Sequence, residues 1–343
     1  MTNSIWKLLS DLATKKGITE IIINSDDIIY IEREGELTRL NVQILEKDIH
    51  QFCQEVATQN KMNFDANHPI LDGVLPDGSR INIIASEYTY TLPAITIRKY
   101  LKGMSNFDHL EGKFNLTDKW IQFFKSLVAS KSNILISGGT GVGKTTFLNL
   151  LLNEISPTER VVIIEDTKEL LFKSANSVRL YTPTLSSHLN NPLSMSALVK
   201  NTLRMRPDRI IIGEVRGAEA FDLLQVMNTG HDGSMCTIHA NSPSEALMRL
   251  ENLFLFSGFD VPLKAIRFQM MSAIDYIVQL GKDRESGRVV THISEVCSME
   301  GDRVVYQDIG VRSDLGARFT GLVPRHFDKL VEAGLPQDFF EKL

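Results

Sequence analysis

From Asn133 onward, short β-branched runs without polar alternation take turns with longer amphipathic runs. The short runs are Asn133–Ser137, Val161–Glu165, Val178–Tyr181, Arg209–Gly213 and Met235–His239. Helices are predicted at Lys144–Asn153, Ser194–Met205, Gly217–Met227 and Pro243–Leu253. Strands of this kind, separated by helices, predict a parallel sheet covered on both faces. Farther on, Val289–Val296 and Arg303–Asp308 read as an antiparallel extension, and Arg325–Val331 as a last short helix.

The first hundred residues carry a different pattern. Ile5–Lys15 is helix-like, with apolar positions at Ile5, Leu8, Leu9 and Leu12. Thr19–Ile23 and Ile28–Glu32 flank the turn signal Ser25-Asp26-Asp27. Leu37–Leu40 follows Gly35, Lys47–Thr58 is amphipathic, and Arg80–Ala85 and Ala94–Tyr100 read as strands. The polar stretch Leu101–Leu116 carries two glycines without periodicity and reads as a linker. A helix over Asp118–Ala129 follows, with Thr117 as its N-cap. The expected class is α/β in two domains: 1–100, a linker at 101–116, and 117–343.

Composition changes this picture little. The chain has 343 residues, 43% hydrophobic and 23% charged, a soluble globular profile. No apolar run approaches the roughly 18 residues of a membrane span, and the start lacks the regions of a signal peptide. A net charge of −5 gives no electrostatic case for nucleic acid. Cys53, Cys236 and Cys297 are too far apart for a Cys-x-x-Cys zinc site and are expected to be buried apolar positions. A cytoplasmic location is expected.

Specific chemistry enters at Gly138–Thr145, Gly-Gly-Thr-Gly-Val-Gly-Lys-Thr, which fits G-x-x-x-x-G-K-[ST] between a predicted strand and a predicted helix. In such a loop glycines let backbone N–H groups approach phosphate, the lysine reaches the β- and γ-phosphates, and the hydroxyl meets Mg²⁺. The helix N-terminus adds its positive end. The expected binding set for Mg·ATP is Gly139, Thr140, Gly141, Val142, Gly143, Lys144, Thr145 and Thr146.

In an open parallel sheet, ligands sit beyond the carboxyl ends of the strands. Val161–Ile164 ends in Glu165-Asp166, Arg209–Ile212 in Gly213-Glu214, and Met235–Ile238 in His239. If the strands are parallel, these residues meet beside the phosphate loop. Phosphoryl transfer to water needs a metal and a group that orients the water. Glu214 is expected to activate water. Glu165 and Asp166 are candidates for Mg²⁺, together with Thr145, and for positioning water, with the division among the three acids open. His231 and His239 are expected to sense the γ-phosphate.

Together these segments resemble the type II/type IV secretion ATPases. The Walker A motif is Gly138–Thr145, an Asp box looks like Ile164–Leu170, the Walker B segment is Leu203–Gly217, and a His box spans Thr229–Asn241. Thr19-Glu20-Ile21, Ile31–Gly35 and Thr320–Arg325 are similar to the Tad/Flp pilus assembly branch. The chain is too short for the extra helical segment of many members of that branch, and its cysteines do not build the tetracysteine module of the general secretion branch. The resemblance implies a PAS-like N-terminal domain joined to a RecA-like P-loop domain with a mostly parallel sheet. It implies a homo-hexamer, peripheral to the inner membrane, that drives platform proteins; the lack of a basic run gives no expectation of direct nucleic-acid contact. It also implies that N-terminal arginines reach nucleotide: Arg80 and Arg98 match those segments, and Arg204 and Arg206 are candidates to face a neighbour. Arg216 is a candidate partner for an acid. A conjugative or type IV secretion ATPase, or a nucleotide-dependent scaffold, is the alternative.

Overall fold

The computed structural model describes residues 4–15, 17–33, 36–89, 91–99, 107, 114–172, 174–182, 193–258, 260–283, 287–314 and 316–341. The chain divides into two compact units, one from Met1–Lys102, the other from Gly103–Thr182 and Ser194–Leu343.

The first unit contains α1 (Ser4–Ala13), β1 (Ile18–Ile23), β2 (Ile29–Arg33), β3 (Glu36–Leu40), α2 (Glu46–Asn60), β4 (Ile70–Val74), β5 (Arg80–Ile84) and β6 (Ala94–Arg98). Its strands form an antiparallel sheet in the order β3-β2-β1-β6-β5-β4. Alternation sends Ile21, Ile23, Ile81, Ile83, Ile95 and Ile97 to one face. There they share a core with Ile5 and Leu12 of α1 and Ile49, Phe52 and Val56 of α2. Strand β4 was not expected: Leu71 is its one buried residue, so its apolar pattern is weak.

The second unit contains α3 (Asp118–Ala129), β7 (Ile134–Gly138), α4 (Lys144–Leu152), β8 (Val161–Glu165), β9 (Ser177–Tyr181), α5 (Met195–Thr202), β10 (Arg209–Ile212), α6 (Glu219–Asn228), β11 (Met235–Ile238) and α7 (Pro243–Leu255). Then come α8 (Leu263–Ala273), β12 (Tyr276–Asp283), β13 (Gly287–Glu300), β14 (Arg303–Ser313), β15 (Gly316–Phe319) and α9 (Phe327–Glu332). One sheet runs β15-β14-β13-β12-β7-β11-β10-β8-β9. The strands from β12 to β9 pair in parallel, and β13 to β15 extend the sheet antiparallel. The parallel part and the antiparallel extension are both as expected. The central strands are apolar throughout because both faces are covered. Ile134, Ile136, Ile163 and Ile211 face a core with α3 and α4. Leu135, Ile164, Ile212 and Ile238 face a second core with α5, α6, α7 and α8.

Of the expected linker, Phe107 and 114–116 are described, and its other residues lie outside the described residues. Phe107 and Phe114 are buried against Phe147 of α4, with ring centroids 6.4 and 5.3 Å away. Cys53 and Cys236 are buried, as expected, and burial pushes the Cys53 thiol up to about 12. Cys297 is only half-buried; its Sγ donates to Glu295 O at 3.4 Å.

The edge of the sheet opposite the phosphate loop is held by a buried ion pair. Arg209, 1% exposed, donates through Nε and Nη2 to the Glu159 carboxylate at 2.8 and 2.9 Å. Burial works to raise the Glu159 pKa, but Arg209 outweighs it and holds the carboxyl below its ordinary range. Removing one partner leaves a buried charge without compensation. Glu159→Ala is expected to destabilise the second unit by about 3 kcal/mol in urea unfolding. A loss within error of zero would show that solvent reaches Arg209.

Candidate active site

The parallel register places the carboxyl ends of β7, β8, β10 and β11 at one edge. The phosphate loop leaves β7 there. Gly141 and Gly143 take φ of +72° and +96°, a region that favours glycine. A methyl on Gly143 would lie 3.0 Å from Phe114 Cζ, so the site demands glycine sterically as well. Gly143 is the N-cap of α4, and no side chain caps that helix start. The first N–H groups of a helix lack intrahelical partners and suit an anion.

Lys144 is 7% exposed, and its Nζ donates to Gly138 O and Gly139 O at 2.9 Å each. His239 follows β11 at the same edge. Its Nε2 lies 3.1 Å from Glu214 Oε1, and Lys144 Nζ lies 3.3 Å from both Nδ1 and Nε2. The carboxylate favours the tautomer with its proton on Nε2, which donates to Glu214. Glu214 Oε2 accepts from Arg216 Nη2 at 2.7 Å, and Arg216 Nη1 donates to Asp166 Oδ2 at 2.9 Å. A continuous chain of polar contacts therefore runs Lys144–His239–Glu214–Arg216–Asp166.

The loop carrying Glu214 is fixed on both sides. Thr237 Oγ1 donates to Gly213 O at 2.7 Å, and Val215 N donates to Thr237 O at 2.9 Å. Glu219 Oε1 accepts from Arg216 N and Gly217 N at 2.6 and 2.8 Å. Burial of Glu214 works to raise its pKa. The Arg216 hydrogen bond and charge, with His239 and Lys144, outweigh this and hold the carboxyl below its ordinary range. Burial and the Lys144 charge push His239 down, against the opposing pull of Glu214. Glu214 is thus a carboxylate and His239 a neutral imidazole near pH 7.

The His239 shift makes stability depend on pH. The unfolded imidazole takes a proton near 6.5, whereas the folded one resists to lower pH. Stability from this group is complete above 6.5 and is lost as pH falls through the folded value. Urea unfolding between roughly pH 7.5 and 5 should show a steeper acid loss in the wild type than in His239→Gln. Parallel curves would remove His239 as the cause.

Glu165 has a different occupation from the expected one. It is 3% exposed; Oε1 accepts from Glu169 N and Leu170 N at 2.8 and 2.7 Å, and Oε2 accepts from Arg179 Nη2 at 2.9 Å. Its carboxylate folds the segment after β8 back on itself.

With the geometry in place, comparison with known proteins decides the family. A family model described as "Type II/IV secretion system protein" matches residues 7–308. The chain belongs to the type II/IV secretion system protein family. It is 34% identical over 289 residues to the conjugal transfer protein TrbB of Rhizobium radiobacter, covering 83% of this chain and 85% of the relative. It is 29% identical over 322 residues to a putative conjugal transfer protein of Mycobacterium tuberculosis, covering 90% and 91%. In fold it is similar to the Legionella pneumophila ATPase DotB, with a TM-score of 0.60 and 19% identity over 100% of this chain and 87% of that one.

Other expected residues of this secretion-family chain fall elsewhere. His231 precedes β11, whereas His239 follows it. One strand of four residues separates them, about 13 Å at the usual rise. Of the two histidines expected to sense the γ-phosphate, His239 thus lies at the strand end where the phosphate loop begins and His231 at the other. His231 lies at the Arg209 edge, where its carbonyl accepts from Ser234 Oγ at 2.8 Å and its buried Nδ1 has no partner among the described residues. Exposed Arg204 and Arg206 precede β10 and share that far edge. Arg80 and Arg98 belong to the first unit, where they stand directly opposite each other on β5 and β6.

Two contributors were not foreseen. Asn149 of α4 accepts from Leu171 N at 2.7 Å and donates to Glu169 O at 3.4 Å, tying the helix after the phosphate loop to the segment that Glu165 folds. Gln279, 3% exposed, donates to Ala240 O at 3.3 Å and so holds the residue after His239. The signal for each is a polar residue inside an apolar run: Phe147-Leu148-Asn149-Leu150 and Ile277-Val278-Gln279-Leu280.

Proposed function

We propose that this chain binds Mg·ATP on Gly139–Thr146 and hydrolyses it to drive transport through membrane-embedded partners. The observation that carries the reading is the Glu214 carboxylate, ionised and fixed beside His239 and Lys144 at the mouth of the phosphate loop. Lys144 binds the β- and γ-phosphates, leaving its present carbonyl partners. Glu214 accepts a proton from the attacking water and orients it. His239, neutral and bonded to both, reports whether the γ-phosphate is present. The Thr145 hydroxyl and, through water, Asp166 fit the oxygen preference of Mg²⁺. When bound, Mg²⁺ neutralises charge on the transferring phosphoryl group. Glu165, its oxygens already taken, acts by holding the loop that carries Asp166.

The second unit is read as a RecA-like domain, the first as a PAS-like domain, and residues 101–116 as the connection between them. The working form is a homo-hexamer in which Arg80 and Arg98 reach nucleotide. It lies on the cytoplasmic side of the inner membrane and acts on platform proteins. No helix among the described residues is long and apolar enough to cross a membrane, which fits attachment through partners. The names of two relatives favour conjugal transfer as the process. The segments similar to the Tad/Flp branch support pilus assembly as the second reading. The net charge of −5 argues against direct contact with nucleic acid in either case.

Phosphate release from ATP by the purified full chain tests the reading. Release is expected with Mg²⁺ and should fall to background when EDTA removes the metal. A chain that binds Mg·ATP but stays at background, with or without platform protein, would sink hydrolysis and leave the scaffold reading.

A further inference from the structure

Strand β12 lies beside β7 in parallel, with Leu280 opposite Gly138. β7 ends at Gly138, where the phosphate loop begins, but β12 continues through Gly281, Lys282 and Asp283. Its antiparallel partner β13 starts at Gly287, and Lys282 pairs directly with Arg288. A two-stranded ribbon therefore overhangs the active edge next to the phosphate loop. A methyl on Gly141 would lie 3.5 Å from Lys282 Nζ, and one on Gly143 would lie 3.1 Å from Arg288 Cδ. These are the two loop glycines with positive φ.

Like charges directly opposite on an antiparallel pair repel. Asp283 follows Lys282 and so belongs to the other face of the strand; its charge acts on Arg312. A register shift between Gln279 and Leu280 precedes the overhang. Such bulges re-aim side chains, often beside active sites. The Lys282 side chain is exposed and makes no hydrogen bond or ion pair among the described residues.

We propose that Lys282, with Arg288 beside it, is a further polyphosphate-binding residue that reaches the nucleotide from outside the phosphate loop. The inference rests on the reading of Gly139–Thr146 as a nucleotide site. Loop glycines cradle the α- and β-phosphates, whereas the loop lysine reaches β and γ. Lys282 lies beside the glycines, so it acts on the part that ADP and ATP share. Its interaction with phosphate is exposed, and salt screens it.

The test measures affinity of the full chain for Mg·ADP and for a non-hydrolysable Mg·ATP analogue by calorimetry, at low and high salt. Lys282→Gln is expected to weaken both ligands about 5- to 10-fold at roughly 0.05 M salt and less than about 2-fold at roughly 0.5 M. Lys282→Arg should restore both to within about 2-fold of the wild type, since charge is what counts. Wild-type affinity in Lys282→Gln at low salt would overturn the proposal. An equal loss in Lys282→Arg would overturn it too, because packing would then be the cause. A loss confined to the ATP analogue would overturn the placement at the shared phosphates. Lys144→Ala separates the two readings. If it abolishes binding while Lys282→Gln does not weaken it, the nucleotide site stands and this proposal alone falls. If the wild type binds neither ligand, both fall.

Discussion

Glu214→Gln should retain Mg·ATP within a few-fold of wild-type affinity and lose phosphate release by about 10²- to 10⁴-fold, the usual worth of a positioned general base. The amide has the shape of the carboxylate. Its oxygen still accepts from Arg216 Nη2 or from His239 Nε2–H, which now lie at 2.7 and 3.1 Å from the two carboxylate oxygens. What it loses is the capacity to take a proton from water. One negative charge also leaves the site, which favours a polyanionic ligand, so a fall in affinity is not expected. The acid limb of the wild-type rate should lie below pH 4.5, because Arg216 and its neighbours depress the Glu214 pKa from that value. Paired measurements of equilibrium binding and single-turnover release check this. Undiminished release from Glu214→Gln would transfer the water to another group, and Asp166 is the nearest alternative through Arg216.

The sequence made this edge legible because each strand of the parallel sheet ends in chemistry, and parallel register converts four strand ends into one place. Helix α3 is equally readable: Thr117 caps it, accepting from Trp120 N at 3.2 Å, and its apolar stripe is clean. The direction of a carboxylate is another matter. Glu165 and Glu214 both end apolar strands, but Glu165 sits where two backbone N–H groups and Arg179 converge, a convergence made by a turn that periodicity does not show. His231 and His239 look equivalent as a pair around β11, yet a strand has two ends and only one meets the loop. Neither α8 nor β12 is legible in the sequence: α8 runs into β12 through Ile274 and Asp275 without glycine or proline, so no punctuation marks the change from helix to strand. With β12 unmarked, Gln279 and Lys282 are unmarked too, although both reach the active edge.

Lys144→Ala should lower Mg·ATP affinity by about 100-fold or more, since hydrogen bonds from a charged group to phosphate carry roughly 1.5–3 kcal/mol each. Phosphate release should then fall to background. The loss must be separated from misfolding, because Lys144 is buried and its ammonium satisfies Gly138 O and Gly139 O. Two readouts do so. Mg·ADP raises the melting temperature of a chain that binds it, by an amount that grows with the logarithm of ligand concentration over Kd; the wild type should show this rise and Lys144→Ala should not, while both melt cooperatively without ligand. The second readout is His239. The Lys144 charge helps hold its pKa below 6.5, so in Lys144→Ala the imidazole should titrate closer to that value in proton NMR. An unchanged His239 titration in a folded variant would show that the ammonium and imidazole are not coupled, and would break the chain of polar contacts at its first link. A shifted titration with lost binding would tie Lys144 to both the phosphate and the carboxylate that activates water.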